Sequence, residues 1–344
     1  MLKAFSANSS LKAAGWFKRL LLIATVLALC VVVLGAYVRL TDAGLGCPDW
    51  PGCYGTLTVP ESEAAIANAQ TLYPTATVQV GKAWREMAHR YLAGTLGLVV
   101  LAIFVLAWWQ QNNPMLRNGK TTKWLATVLL LVIGFQAMLG MWTVTMLLKP
   151  VIVSAHLLGG MTTLGLLVWL SCQQTLANTK LSISKNTILA VRFALLILVM
   201  QILLGGWTST NYAALACTDF PTCHGAWFPA MDFKDAFHLV RDLGQNAEGG
   251  ALSLASLTAI QWTHRLGALV TFLTVGTIGI LLIKHVALKG FAVLLLVALC
   301  VQVALGIANL VLHLPLVLAV GHNMVAALLV IILVTINAKI SMRK

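Results

Sequence analysis

Four histidines stand in stretches of sequence that are otherwise apolar: His89, His156, His264 and His322. An ionisable side chain in such a stretch is costly to keep there and marks a functional candidate. Two neutral imidazoles facing each other across a helix bundle suit the two axial positions of a haem iron. Zinc asks for about four ligands, often with cysteine or carboxylate among them, and no such set accompanies these histidines. A hydrogen-bonded core histidine stays open as the plain alternative for any one of the four. The other histidines, His224, His238, His285 and His313, fall in connecting segments and read as solvated.

The neighbours of two of these histidines add chemistry. Arg90 and Arg265 directly follow His89 and His264. At the outer interface such arginines either meet haem propionates or snorkel toward water, and the two readings are compatible. Three residues earlier stand Glu86 in one case and Gln261 in the other. Positions i and i+3 share a helix face, so each side chain is expected to point where its histidine points. A carboxylate there stabilises developing positive charge or moves a proton; a neutral amide does neither. The pattern fits one site that does chemistry and one that passes electrons. The alternative is that Glu86 closes a loop in water beside Arg85.

Seven cysteines divide into two groups. Cys30, Cys172 and Cys300 lie in or at the end of apolar runs and read as small apolar residues. Cys47-Pro-Asp-Trp-Pro-Gly-Cys53 and Cys217-Thr-Asp-Phe-Pro-Thr-Cys223 share the frame Cys-x-Asp-aromatic-Pro-x-Cys. Each pair reads as a local disulfide on an oxidising face. A pinned loop over the histidine site and a thiol–disulfide electron relay are both open roles.

The elements that carry these residues follow from hydropathy. Of the 344 residues 59% are hydrophobic and 10% charged, against about 25% charged in soluble domains, so water is not the main solvent of this surface. Eight runs are long enough to cross a bilayer: 18–40, 87–109, 123–146, 151–173, 187–210, 257–283, 290–312 and 315–337. The first follows Lys12, Lys18 and Arg19; it is long for the apolar core of a signal peptide and is read as a helix. All ten acidic residues fall in 42–86 and 219–248. The N-terminus, the C-terminal tail with Lys339, Arg343 and Lys344, and the connections holding Arg117, Lys120 and Lys123, then Lys180, Lys185 and Arg192, then Lys284 and Lys289 carry only basic residues. The positive-inside rule places these segments and both termini in the cytoplasm, which demands an even number of crossings. The net charge of +13 is thus a matter of topology, and a nucleic-acid partner is not needed to explain it.

Two connections are long, 41–86 and 211–256, and both fall on the outer side. Their matching cysteine frames open an internal repeat. Gly35 and Gly205, Cys47 and Cys217, and Cys53 and Cys223 are each 170 apart; His89-Arg90 and His264-Arg265 are 175 apart. Gln136-Ala-Met-Leu-Gly140 and Gln302-Val-Ala-Leu-Gly306 are 166 apart, as are His156 and His322. The expected architecture is an all-α integral membrane protein of eight transmembrane helices in two pseudo-symmetric four-helix bundles, related by an axis along the membrane normal. The halves are 1–175 and 176–344.

Glu86-Met-Ala-His89-Arg90, Gln261-Trp-Thr-His264-Arg265, His156, His322 and the two cysteine pairs together resemble the haem A synthase family over nearly the whole chain. Some branches of that family lack the cysteine pairs; this sequence matches the branch that has them. The resemblance implies oxidation of the C8 methyl group of haem O to a formyl group, giving haem A for cytochrome oxidase. It implies His264 and His322 as ligands of a resident haem b, His89 and His156 as iron ligands of the haem O substrate, and Glu86 as the carboxylate beside the reacting methyl. It further implies a bacterial cytoplasmic (inner) membrane location with membrane lipid around it. The pathway adds contacts with haem O synthase and cytochrome oxidase assembly factors, and a homo-oligomer is an open expectation. If both histidines hold the substrate iron, no position is free for oxygen, and attack by water on an electron-poor methyl carbon is the route that fits. The competing route releases one histidine. Two other classes stay in view. A bis-histidine b-type cytochrome explains the histidines and gives no reason for the Glu86/Gln261 difference. A transporter predicts no haem and leaves the histidines without partners.

Overall fold

The computed structural model describes residues 2–176 and 181–342. Lys180, Arg343 and Lys344, three of the basic residues counted above, lie outside the described residues. Among the described residues the protein is helical with no strand of regular length. The helices are α1 (Leu2–Leu40), α2 (Glu63–Leu72), α3 (Val80–Trp109), α4 (Gly119–Thr145), α5 (Pro150–Thr175), α6 (Lys185–Thr210), α7 (Phe233–Ala236), α8 (Leu254–Ile283), α9 (Lys289–Val311) and α10 (Leu316–Ser341). Eight of them, all but α2 and α7, are long and apolar enough to cross a membrane. A helix satisfies its own backbone, which is why apolar runs of this length take that form in lipid.

Local signals set the ends. Ser184 and Ser253 accept the N–H of Thr187 and Ser256 and so cap α6 and α8; Pro150 starts α5 where its missing N–H costs nothing. Six of the spans agree with the hydropathy reading to within a few residues, and α1 begins at Leu2 instead of 18. The other exception is α3, which begins at Val80 instead of 87. Glu86 therefore sits in the second helical turn, and the first outer loop ends at residue 79. Neither outer loop is structureless: the first contains α2, capped by Ser62, and the second contains α7, capped by Asp232.

In residues 1–175, α1 packs on α3 and α5, α3 on α4, and α4 on α5. In the remainder, α6 packs on α8 and α10, α8 on α9, and α9 on α10. The corresponding helices make corresponding contacts. Between them run α1 against α10, α5 against α6 and α5 against α10. The largest fully buried side chains include Phe17 and Leu21 on α1 and Leu164, Leu167 and Leu170 on α5, two of the helices that form this seam. Outward faces carry exposed Leu98, Leu131, Phe135, Leu189, Leu273 and Ile280, as a surface solvated by lipid does. At the end of the molecule bearing the long loops, Arg39 donates to the Ser209 carbonyl at 2.8 Å and lies 4.3 Å from the Tyr212 ring centre. The Tyr212 hydroxyl reaches Asp42 at 3.1 Å, and Lys149 pairs with Asp242 at 3.1 Å.

Candidate functional site

Each of the four helix histidines lies on one helix and packs against a glycine on the next. His89 on α3 faces Gly35 on α1, and His156 on α5 faces Gly140 on α4. His264 on α8 faces Gly205 on α6, and His322 on α10 faces Gly306 on α9. A methyl group added at these glycines would stand 2.9, 3.4, 3.1 and 3.1 Å from the Cε1 atom of its histidine, in that order. Only a residue without a side chain lets the ring sink against the neighbouring backbone. The glycines that mark the repeat in sequence are thus the seats of the histidines.

His89 and His156 meet edge-on, ring centres 6.5 Å apart with the planes at 84°. Metal–imidazole bonds of roughly 2.0–2.1 Å, with about an ångström more from each nitrogen to its ring centre, set two axial ligands roughly 6 Å apart. The observed separation fits. The Nδ1 atoms of His89, His156 and His322 are buried without a hydrogen bond of good geometry, although backbone groups of Val31, Gln136 and Gln302 lie beside the three rings. His264 and His322 are near enough to act on each other electrostatically. His264 Nδ1 meets the Gln201 amide at 3.0 Å, and His322 Nε2 meets that of Gln302 at 3.2 Å. Paired, half-buried rings in glycine seats, with ring nitrogens lacking partners, fit the ligand set of a bis-histidine haem.

Over each pair lies a disulfide loop of the same construction. Cys47 is bonded to Cys53 and Cys217 to Cys223. The aspartate of the shared frame caps the turn inside the ring. Asp49 accepts the N–H of Tyr54 and Gly55 at 2.6 and 2.8 Å; Asp219 accepts those of His224 and Gly225 at 2.6 and 3.0 Å. Tyr54 and Gly55, like His224 and Gly225, have positive φ, so the cap holds a turn that the backbone alone does not favour. The Thr222 hydroxyl, with these N–H donors, holds the Asp219 carboxyl down at about 2.

The loops are fastened to the helices by the residues flanking His89 and His264. Glu86 is 4% exposed; its carboxylate accepts the Cys47 N–H at 3.0 Å and pairs with Arg90. The reading in which Glu86 ends a loop in water near Arg85 is corrected here: the helix already includes residue 86, and its partner is Arg90. Gln261 takes the same place in the second half, accepting the Cys217 N–H through Oε1 while Nε2 donates to the Ala214 carbonyl. Arg90 also donates to the carbonyls of Asp49, Pro51 and Gly52. Arg265 donates to those of Thr222 and Cys217 at 2.8 and 3.4 Å. Both arginines thus tie helix to loop.

The remaining histidines lie apart from the pairs. His224 and His313 are exposed, and His238 and His285 half-exposed; His224 Nε2 comes within 3.4 Å of the Thr258 hydroxyl. Cys172 is buried on the seam beside Thr335, while Cys30 and Cys300 face outward. Sequence reasoning used the glycines and glutamines only as landmarks. Their contact with histidine carries a legible signal: in each half the facing glycine keeps a nearly constant distance from its histidine.

A family model described as cytochrome oxidase assembly protein matches residues 18–334. A curated heme A synthase of Shewanella oneidensis is 43% identical over 325 residues, covering 94% of this chain and 95% of the relative. Those of Rhizorhabdus wittichii and Paracoccus denitrificans are each 28% identical, over 90% and 92% of this chain and 89% and 86% of their own length. With a match of this extent falling on the histidine pairs and both disulfide loops, the chain belongs to the cytochrome oxidase assembly protein family, alongside these heme A synthases.

Proposed function

We propose that this chain is an oxidoreductase that converts haem O to haem A, oxidising the C8 methyl group to a formyl group in two successive steps. The observation that carries the reading is the edge-on His89–His156 pair with a charged Glu86 one turn away, against a His264–His322 pair with a neutral Gln261. The curated relatives named heme A synthase support the reaction. Residues 1–175 hold the haem O substrate between His89 and His156. Residues 176–344 hold haem b between His264 and His322. When bound, haem b supplies one-electron transfer.

Taking a methyl group to a formyl group with oxygen from water removes four electrons and four protons. Glu86 lies in the second turn of α3, one turn from the ligand His89, buried against the Cys47–Cys53 loop. Held by Arg90 and the Cys47 N–H, its carboxylate stabilises positive charge developing at the methyl carbon and takes up a proton. The loop keeps bulk water from the carboxylate and fixes it. Gln261 keeps the mechanical half of this arrangement and lacks the charge.

The two halves act as pseudo-symmetric four-helix bundles, both termini cytoplasmic. Arg39 with Ser209, and Asp42 with Tyr212, support this: each pair is 170 residues apart, the repeat offset, and residues beside a two-fold axis touch their own counterparts in this way. The disulfide loops and haem sites face the outer side of a bacterial inner membrane, where disulfides persist. Partners in this reading are membrane lipid, haem O synthase, cytochrome oxidase assembly factors and a second copy of the chain.

The test is chromatographic and mass identification of haems extracted from protein co-produced with a source of haem O. Haem b together with haem O, its hydroxylated form or haem A is the expected result. Haem b alone favours an electron-transfer cytochrome, and no haem overturns the ligand assignment.

A further inference from the structure

The two halves differ at a second pair of equivalent positions, on the helices that seat His89 and His264. Gln201 stands four residues before Gly205, so its side chain lies one turn along α6 from the seat of His264. Its amide nitrogen is 3.0 Å from His264 Nδ1 and donates to the His264 carbonyl at 3.1 Å. Gly267, one turn beyond His264, makes the room: a methyl group there would run into the Gln201 amide. The residue four before Gly35, 170 positions earlier than Gln201, is Val31; the residue one turn beyond His89 is Leu92. A polar pair beside the ring in one half is an apolar pair in the other, and His89 Nδ1 has no side-chain partner, only the Val31 backbone beside it. On α4 and α9 the corresponding residue is glutamine in both halves, Gln136 and Gln302. The residue types therefore differ only beside His89 and His264; in contact, the Gln302 amide nitrogen also reaches His322 while that of Gln136 has no partner.

We infer that Gln201 is a positioning residue that locks His264 as a permanent iron ligand, and that Val31 with Leu92 leaves His89 free to release the iron of the substrate haem. The inference rests on the ligand assignment under Proposed function. A hydrogen bond to the ring nitrogen that faces away from the metal fixes the orientation and tautomer of a ligand histidine. The Gln201 amide nitrogen lies against both Nδ1 and the His264 carbonyl, so it holds the edge of the ring to the backbone of its own helix. A resident haem must stay. A substrate haem must enter and its product leave, and a ligand without a side-chain hydrogen bond lets go more readily.

Carbon monoxide binds ferrous haem only where a ligand yields, so it reads this difference without turnover. Full-length protein loaded with haem b and haem O is reduced under anaerobic conditions and titrated with carbon monoxide, with haem per chain measured on each sample. Wild type is expected to bind it at one haem. V31Q/L92G is expected to bind it about fivefold more weakly, the factor that one net hydrogen bond is worth, with L92G alone close to wild type. Q201V is expected to gain binding at the second haem. Equal affinity in V31Q/L92G and L92G, or a fully loaded Q201V that gains nothing, overturns the inference while the ligand assignment stands. Wild type that retains no haem overturns both.

Discussion

In both halves the side chain three residues before a helix histidine accepts the backbone N–H of the first loop cysteine: Glu86 from Cys47, Gln261 from Cys217. Gln261 completes its hydrogen bonds with the Ala214 carbonyl. Glu86 completes its own with the Arg90 guanidinium. An amide is thus sufficient to hold the loop on its helix. The negative charge at position 86 does something that loop attachment does not require, and it stands in the half assigned to the substrate. Burying a carboxylate is costly without a partner, and Arg90 is the arrangement that makes it tolerable.

The substitution that most sharply breaks the comparison is E86Q, which gives the first half the side chain of the second. Gln261 shows that the loop bond survives, so haem content is expected to hold. Turnover of loaded haem O is expected to fall by at least about 100-fold, the low end for loss of an acid–base group. Full turnover in E86Q contradicts the role given to the charge. The reciprocal Q261E sets a carboxylate against the Ala214 carbonyl; it is expected to lower unfolding stability by about 1–3 kcal/mol and leave turnover nearly unchanged.

The glycine seats come next. G35A, G205A, G306A and G140A should each displace a histidine ring, at a cost of about 1–3 kcal/mol for overpacking. The order follows the contact distances of 2.9, 3.1, 3.1 and 3.4 Å. Each is expected to lose haem from its own half only, which haem identification on the purified variants reads. Loss from both halves alike would mean that the halves do not bind independently.

The loop anchors separate the halves more gently. R90A leaves a buried carboxylate unpaired and is expected to cost about 3–5 kcal/mol. R265A loses carbonyl contacts and its place over the Phe220 ring but strands no charge, and should cost about 1–3 kcal/mol. Thermal unfolding of the two variants compares them directly. The smallest effect concerns pH. The folded value of Asp219, about 2, lies below its ordinary 3.8, so its contribution to the second loop is complete above the ordinary value and is lost as pH falls through about 2. Protease cleavage within residues 211–253 is expected to rise over that window in the wild-type protein and to show no such step in D219N.

Much of this was legible in the sequence, because hydropathy and charge are one-dimensional properties. Spans, repeat, histidine pairs and cysteine frames all follow from them. The start of α3 was not legible: hydropathy begins the span at 87, yet the helix rises above the apolar zone to Val80 and carries Glu86 into a buried pair. The binding partners of Arg90 and Arg265 were hidden for a different reason. Loop carbonyls take them up, and no side-chain pattern announces a carbonyl. Glycines and glutamines marked the repeat, but what each faces depends on which helix lies alongside. Asp49 and Asp219 were visible as part of a frame; their capping role needs the left-handed turn at residues 54–55 and 224–225.

The most direct test of the division between the halves is to empty each in turn. H89A/H156A and H264A/H322A are produced with a source of haem O, and the extracted haems are identified by chromatography and mass. The first variant is expected to keep haem b and to lose haem O, its hydroxylated form and haem A; the second is expected to lose haem b. Haem b lost from the first variant and retained by the second would contradict the assignment of substrate and resident haem to the two halves.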